Sequence, residues 1–141
     1  MKKNLLILSL IIGLFSISGK KEAEYVKNWK LKTMNNIDVQ LNCEMRINPN
    51  GQFIGKGICN NFTGNFMFDG KRKVKCNENI MSTKMFCKET QEVENELFAT
   101  LKKVDGYEVD DDVLYFKSQK QTVLTFAKVV EPKLEKSKKK K

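Results

Sequence analysis

The sequence predicts an α+β domain, mostly antiparallel β, whose sheet curls like an open barrel with one helix packed against it. Three observations predict it. Val39, Leu41, Cys43, Met45 and Ile47 alternate without a fault with Gln40, Asn42, Glu44 and Arg46, the period of two of a strand with one dry face. Turn chemistry recurs between such runs, at Asn48-Pro49-Asn50-Gly51 and at Asp69-Gly70, as antiparallel hairpins require. Only one stretch, Thr90 to Val104, has a helical period: Val93, Leu97, Leu101 and Val104 follow at spacings of four, four and three, and Phe98 widens the stripe.

Residues 1–18 read as a secretory signal peptide. Lys2 and Lys3 precede an apolar run from Leu5 to Phe15, and Ser16-Ile17-Ser18 offers small residues for cleavage. Ile17-Ser18-Gly19 has the form that precedes the lipidated cysteine of a bacterial lipoprotein. The next residue is Lys20, which has no thiol to carry a lipid. Export to a bacterial periplasm or envelope is therefore expected without that anchor. Residues 19–26 form a polar lead-in, residues 27–130 the domain, and residues 131–141 a basic, disordered, low-complexity tail.

Trp29 and Leu31 alternate with lysines, as in a first strand, and Val39 to Ile47 form the clearest one. The returning strand runs from Gln52 to Cys59 with Gly55 and Gly57 inside it. Glycines in a strand mark bulges, bends or close backbone approach, which a curling sheet needs. Asn60, Asn61, Thr63 and Gly64 read as an irregular loop, because their short side chains bond neighbouring backbone. A hairpin follows: Asn65 to Phe68, the Asp69-Gly70 turn, then Lys71 to Cys76. In the helix, Glu92, Glu94 and Glu96 precede Lys102 and Lys103, which suits its dipole, and Gly106 stands ready to stop it. The last strands cover about Val113 to Phe116 and Thr122 to Ala127, joined by Ser118-Gln119-Lys120-Gln121.

The net charge of +9 does not describe a nucleic-acid binder. Nine of the 26 Lys and Arg lie in residues 1–20 or 131–141, which leaves 17 against 15 acidic residues between them. A nucleic-acid site carries its basic patch on the folded surface with base-reading groups interleaved. The tail can at most meet an anionic membrane through Lys138, Lys139, Lys140 and Lys141, gaining about 1 kcal/mol per basic residue near the surface. No nucleic-acid partner is expected.

Catalytic chemistry finds no base. The chain has no histidine, which removes imidazole bases, triads and imidazole metal ligands. By their period the helix carboxylates face solvent. Asp110-Asp111-Asp112 lacks the alternating ligands of a calcium loop and reads as a polar turn. Ser82 with Lys84 and Ser118 with Lys120 are no dyads, because nothing buries the lysine. The Asn61-Phe62-Thr63 sequon is incidental behind a bacterial signal peptide. No enzyme, cofactor or metal is expected. Four cysteines behind a signal peptide imply an oxidising compartment, with three connectivities open, and no Cys-x-x-Cys occurs. Four reduced core cysteines are the alternative.

Gly57-Ile58-Cys59-Asn60-Asn61-Phe62-Thr63-Gly64, then Ser82-Thr83-Lys84-Met85-Phe86-Cys87, then a helix containing Glu94, follow in that order. This series resembles the META domain, the family of HslJ-like bacterial heat-shock proteins, from Trp29 to about Phe126. The resemblance implies a Cys59–Cys87 disulfide, which leaves Cys43–Cys76 as a second bridge. It also implies that Gly55, Gly57, Asn60, Gly64 and Met85 hold the motif region together rather than react. The function it implies is a non-enzymatic envelope module, stress-related, acting on other envelope proteins. The alternative is a binder of a lipid or small apolar ligand in a cleft between helix and sheet. Phe62, Phe66, Phe68, Phe98, Phe116 and Phe126 would line that cleft or, as ordinary core aromatics, fill it.

Overall fold

The computed structural model describes residues 22–132. The segment expected to be a signal peptide, its Ile17-Ser18-Gly19 motif and Lys138 to Lys141 lie outside the described residues. The elements in chain order are β1 (Asn28–Met34), β2 (Ile37–Asp38), β3 (Glu44–Ile47), β4 (Gln52–Lys56), β5 (Asn61–Phe68), β6 (Val74–Cys76), β7 (Met81–Ser82), α1 (Gln91–Lys103), β8 (Gly106–Asp110), β9 (Val113–Ser118) and β10 (Gln121–Lys128). All strand pairings are antiparallel, in the order β6-β5-β4-β3-β1-β10-β9-β8, with β2 beside β1 and β7 beside β5. The sheet curls until its two ends touch through one isolated bridge, Lys73 to Gly106. This is the expected class: a curled antiparallel sheet and one helix.

Alternation put the right side chains inward. Trp29 and Leu31 of β1, Met45 and Ile47 of β3, Phe53 of β4, Leu114 and Phe116 of β9, and Leu124 and Phe126 of β10 are buried together. Leu97, Leu101 and Val104 close over them from α1 and its end. The Asn48–Gly51 turn forms as its chemistry predicts. Gly51 takes φ 85° and its N–H bonds to the Asn48 carbonyl at 2.9 Å, a conformation that costs glycine little.

Four expectations require correction. The strand expected from Val39 to Ile47 begins only at Glu44. Asn35 and Asn36, both at positive φ, fold a tight turn that returns Ile37 and Asp38 onto Met34 and Thr33. That short hairpin occupies the edge of β1, so residues 40–42 swing out before β3 joins Asn28 to Lys30. Leu41 is consequently exposed. The strand from Gln52 stops at Lys56, and residues 57–60 turn back through a Gly57 N–H to Asn60 carbonyl bond of 2.8 Å. The expected loop through Asn61 and Gly64 is the first half of β5, where Gly64 opposes Phe53 and Phe62 opposes Gly55. A Cβ on either glycine would overlap the opposing ring, so these glycines give the phenylalanines room across the strand pair. Finally, Gly106 does not cap the helix in a left-handed conformation. Val104 ends it in an extended one, and Gly106 begins β8, a strand the sequence pattern left out.

Candidate functional site

The motif residues converge at one place, where the 57–60 turn, the 83–87 segment and the start of α1 meet. Glu94 lies at its centre with no solvent exposure. Its Oε1 accepts the backbone N–H of Cys59 at 3.0 Å and of Asn60 at 2.8 Å, and its Oε2 accepts the Asn60 side-chain amide at 2.8 Å. Asn60 Nδ2 also donates to the Met85 carbonyl at 3.1 Å, while its Oδ1 accepts from Met85 N–H at 2.8 Å and Thr83 Oγ1 at 2.9 Å. The Met85 backbone, which offers one donor and one acceptor, thereby fixes which way the Asn60 amide points. Every buried side-chain oxygen and nitrogen among the described residues has a partner, which keeps a buried polar network stabilising.

A disulfide closes the same place. Cys59 and Cys87 are bonded, 28 residues apart in sequence. The Cys87 carbonyl receives the N–H groups of Thr90 and Gln91 at 3.1 and 2.9 Å, and so braces the start of a helix that lacks a side-chain cap. The second bridge does not form: Cys43 and Cys76 are free and buried. Burial, followed by the charges of Glu94 and Glu44, pushes the Cys43 thiol up to about 12. Burial likewise raises Cys76 to about 11, against the pull of Lys102.

Of the expected structural residues, Gly57, Asn60 and Met85 belong to this region, though not all by side chain, while Gly55 and Gly64 lie in the β4–β5 pair opposite Phe62 and Phe53. A Cβ at Gly57 would press on the Asn60 carbonyl oxygen and on Glu94 Oε1, each 2.5 Å away. Met85 contributes its backbone, while its side chain is exposed. Glu94 overturns the reading of the helix carboxylates as solvated. Position 94 lies three before Leu97 and seven before Leu101, on the apolar stripe itself, and that spacing was the signal available. Four of the six phenylalanines expected around a cleft are core. Phe62, Phe66, Phe116 and Phe126 are buried, Phe66 packing on Phe53 and Phe116, and Phe116 on Phe126. Phe68 is half-buried, stacked on Tyr25, and Phe98 meets Phe62 edge-on. Among the described residues no His, Cys, Asp or Glu group is arranged to hold a metal, and no helix is long and apolar enough to cross a membrane.

Comparison with known proteins places this arrangement. A DUF4847 family protein from Bacteroides vulgatus superposes with TM-score 0.57 at 18% identity, over 77% of this chain and 96% of that one. A protein solved by NMR superposes with TM-score 0.56 at 21% identity, over 73% and 89% respectively. At these identities the likeness is one of fold. No curated protein matches the chain significantly in sequence. The family model of the META domain matches residues 23–131, a span that includes all ten strands and the clasp formed by Glu94, Asn60, the Met85 backbone and the Cys59–Cys87 disulfide; the chain belongs to the META domain family.

Proposed function

We propose that the protein is an exported, non-enzymatic module of the bacterial cell envelope, HslJ-like and stress-related, that acts by presenting a surface to other envelope components. The full occupancy of the clasp carries this reading. Both oxygens of Glu94 and both polar atoms of the Asn60 amide are engaged by the chain itself. Acid–base catalysis needs a group within reach of a substrate proton, and these groups are committed to the fold. What the clasp supports is a braced segment from which Met81, Met85 and Phe86 project at 69%, 60% and 79% exposure. Apolar side chains on a backbone already fixed lose little further freedom when a partner covers them. The disulfide favours export, because such bonds persist in oxidising compartments.

Thiol trapping on fractionated cells tests the proposal. Expressed from the full sequence, the protein should be found in the envelope fraction, shortened at its N-terminus, with two of its four cysteines alkylated after unfolding. Recovery in the cytoplasm with all four alkylated would remove export and the staple together. A photo-crosslinker at Phe86 should then give discrete envelope adducts that one at Lys120, on the far β9–β10 turn, does not. A second reading, binding of a small apolar ligand, is supported by one groove between helix and sheet, lined by other residues than the phenylalanines.

A further inference from the structure

The swing of residues 40–42 away from the sheet, between Val39 and Cys43, opens that groove, of about 350 Å³, between the displaced segment and α1. Small-molecule sites begin at roughly this size. Its apolar lining is Met34, Ile37, Val39, Leu41 and Val93, aliphatic throughout, with no ring that would favour stacking on a flat ligand. Its walls are anchored. Val39 N–H bonds to the Lys32 carbonyl at 2.8 Å, and Leu31 N–H to the Cys43 carbonyl at 2.9 Å, so the displaced segment is pinned at both ends. Ile37 is nevertheless 70% exposed, apolar surface left uncovered on a fixed backbone.

The rim has one sign of charge. Asp38 and Glu96 line it, and no Lys or Arg does. Glu96 is held there by the side-chain amide of Asn35, which donates to Oε1 at 2.9 Å. Glu92 stands one helical turn before Glu96, a like-charge spacing that is itself unfavourable. The ion pairs among the described residues are Lys117–Glu108 and Lys128–Asp112, so none of these three carboxylates is neutralised by a basic side chain.

We propose that the groove binds a small amphiphile with a saturated chain and a cationic head, an alkylammonium. The chain lies over Ile37, Val39, Leu41 and Val93, and the head sits between Asp38 and Glu96, where it relieves the repulsion between Glu92 and Glu96. The proposal rests on the ligand-binding reading and leaves the braced Met85–Phe86 surface untouched.

The test is an NMR titration of the full chain with decyltrimethylammonium below its micelle threshold, with decanoate and a neutral decyl glucoside as comparators. Shift changes should centre on Met34, Ile37, Val39, Leu41 and Val93, with the cation binding tightest and decanoate weakest. Shortening the chain from ten to eight carbons should weaken binding by about fourfold per methylene. Glu96→Gln should erase most of the preference for the cation and leave the glucoside unaffected. Val93→Trp should fill the groove and abolish binding, and Ile37→Ser, at an exposed position outside the core, should weaken it if the tryptophan variant fails to fold. Equal binding of all three heads in the groove would overturn the cationic assignment and keep the ligand site. Absence of shifts there, or shifts centred on Phe86, would overturn both.

Discussion

Glu94 has two oxygens facing three N–H donors, and its substitution should be costly even when nearly isosteric. In Glu94→Gln the remaining oxygen can still receive the two backbone groups, but the new amide then points its N–H₂ at Asn60 Nδ2. Asn60 cannot turn over to accept, because Met85 fixes its orientation from both sides. Loss of a charge-assisted bond in a buried site should lower stability by about 2–3 kcal/mol, read by urea denaturation. A variant as stable as the parent would show that the carboxylate is not held as described. The free thiols make a second residue-scale prediction. Cys43 and Cys76 titrate at about 12 and 11 in the fold against an ordinary 9.0. A raised folded value means that the thiol's contribution is fully present below about pH 9 and is lost as pH climbs toward 11–12, where the unfolded chain releases its proton first. Cys43→Ala should therefore show a flatter fall of unfolding free energy between pH 9 and 11. An identical pH slope in parent and variant would refute the buried-thiol assignment.

At the scale of the element, the helix depends on what precedes it. Thr90 gives no side-chain cap, and the Cys87 carbonyl receives the first N–H groups instead. Cys59→Ala removes the bridge that holds Cys87 in place. For a loop of 28 residues the chain-entropy model assigns roughly 3–4 kcal/mol to such a bond, so the melting temperature should fall clearly and the amides of residues 90–94 should lose protection. An unchanged melt would mean that the bridge staples nothing. The strands divide into those that local pattern decides and those it does not. Alternation in residues 44–47 survived as β3, because one face is buried and register follows burial. The same alternation at Val39 and Leu41 did not, because the Asn35–Asn36 turn had already used the edge of β1. Gly106–Asp110 escaped notice for the opposite reason: Tyr107 and Val109 are only half-buried, so β8 carries little hydrophobic signal and is held by its pairing with β9.

For the whole molecule the weak place is the seam between β6 and β8. One bridge joins them, with the Val74 N–H to the Asp105 carbonyl at 3.2 Å and the Tyr107 N–H to the Arg72 carbonyl at 3.0 Å. The cluster of Tyr25, Phe68 and Tyr107 lies together at this end of the sheet. Hydrogen exchange should find the seam amides of Val74 and Tyr107 opening at lower free energy than those of the β1–β10 ladder, because short pairings at an edge open locally. Equal protection would indicate a barrel closed as firmly at the seam as elsewhere. Much of the architecture was legible in the chain. The curled antiparallel sheet, the single helix and the glycine turn at residues 48–51 follow from periodicity and turn chemistry, which act between near neighbours; the Cys59–Cys87 pair came from resemblance to the META domain. The tertiary structure alone decided that Cys43 and Cys76 stay unpaired, that Phe62, Phe66, Phe116 and Phe126 fill the core and that an aliphatic groove opens beside the helix. It also decided that Glu94 is buried, since a carboxylate goes inside only when donors from distant parts of the chain, here Cys59 and Asn60, arrive to meet it.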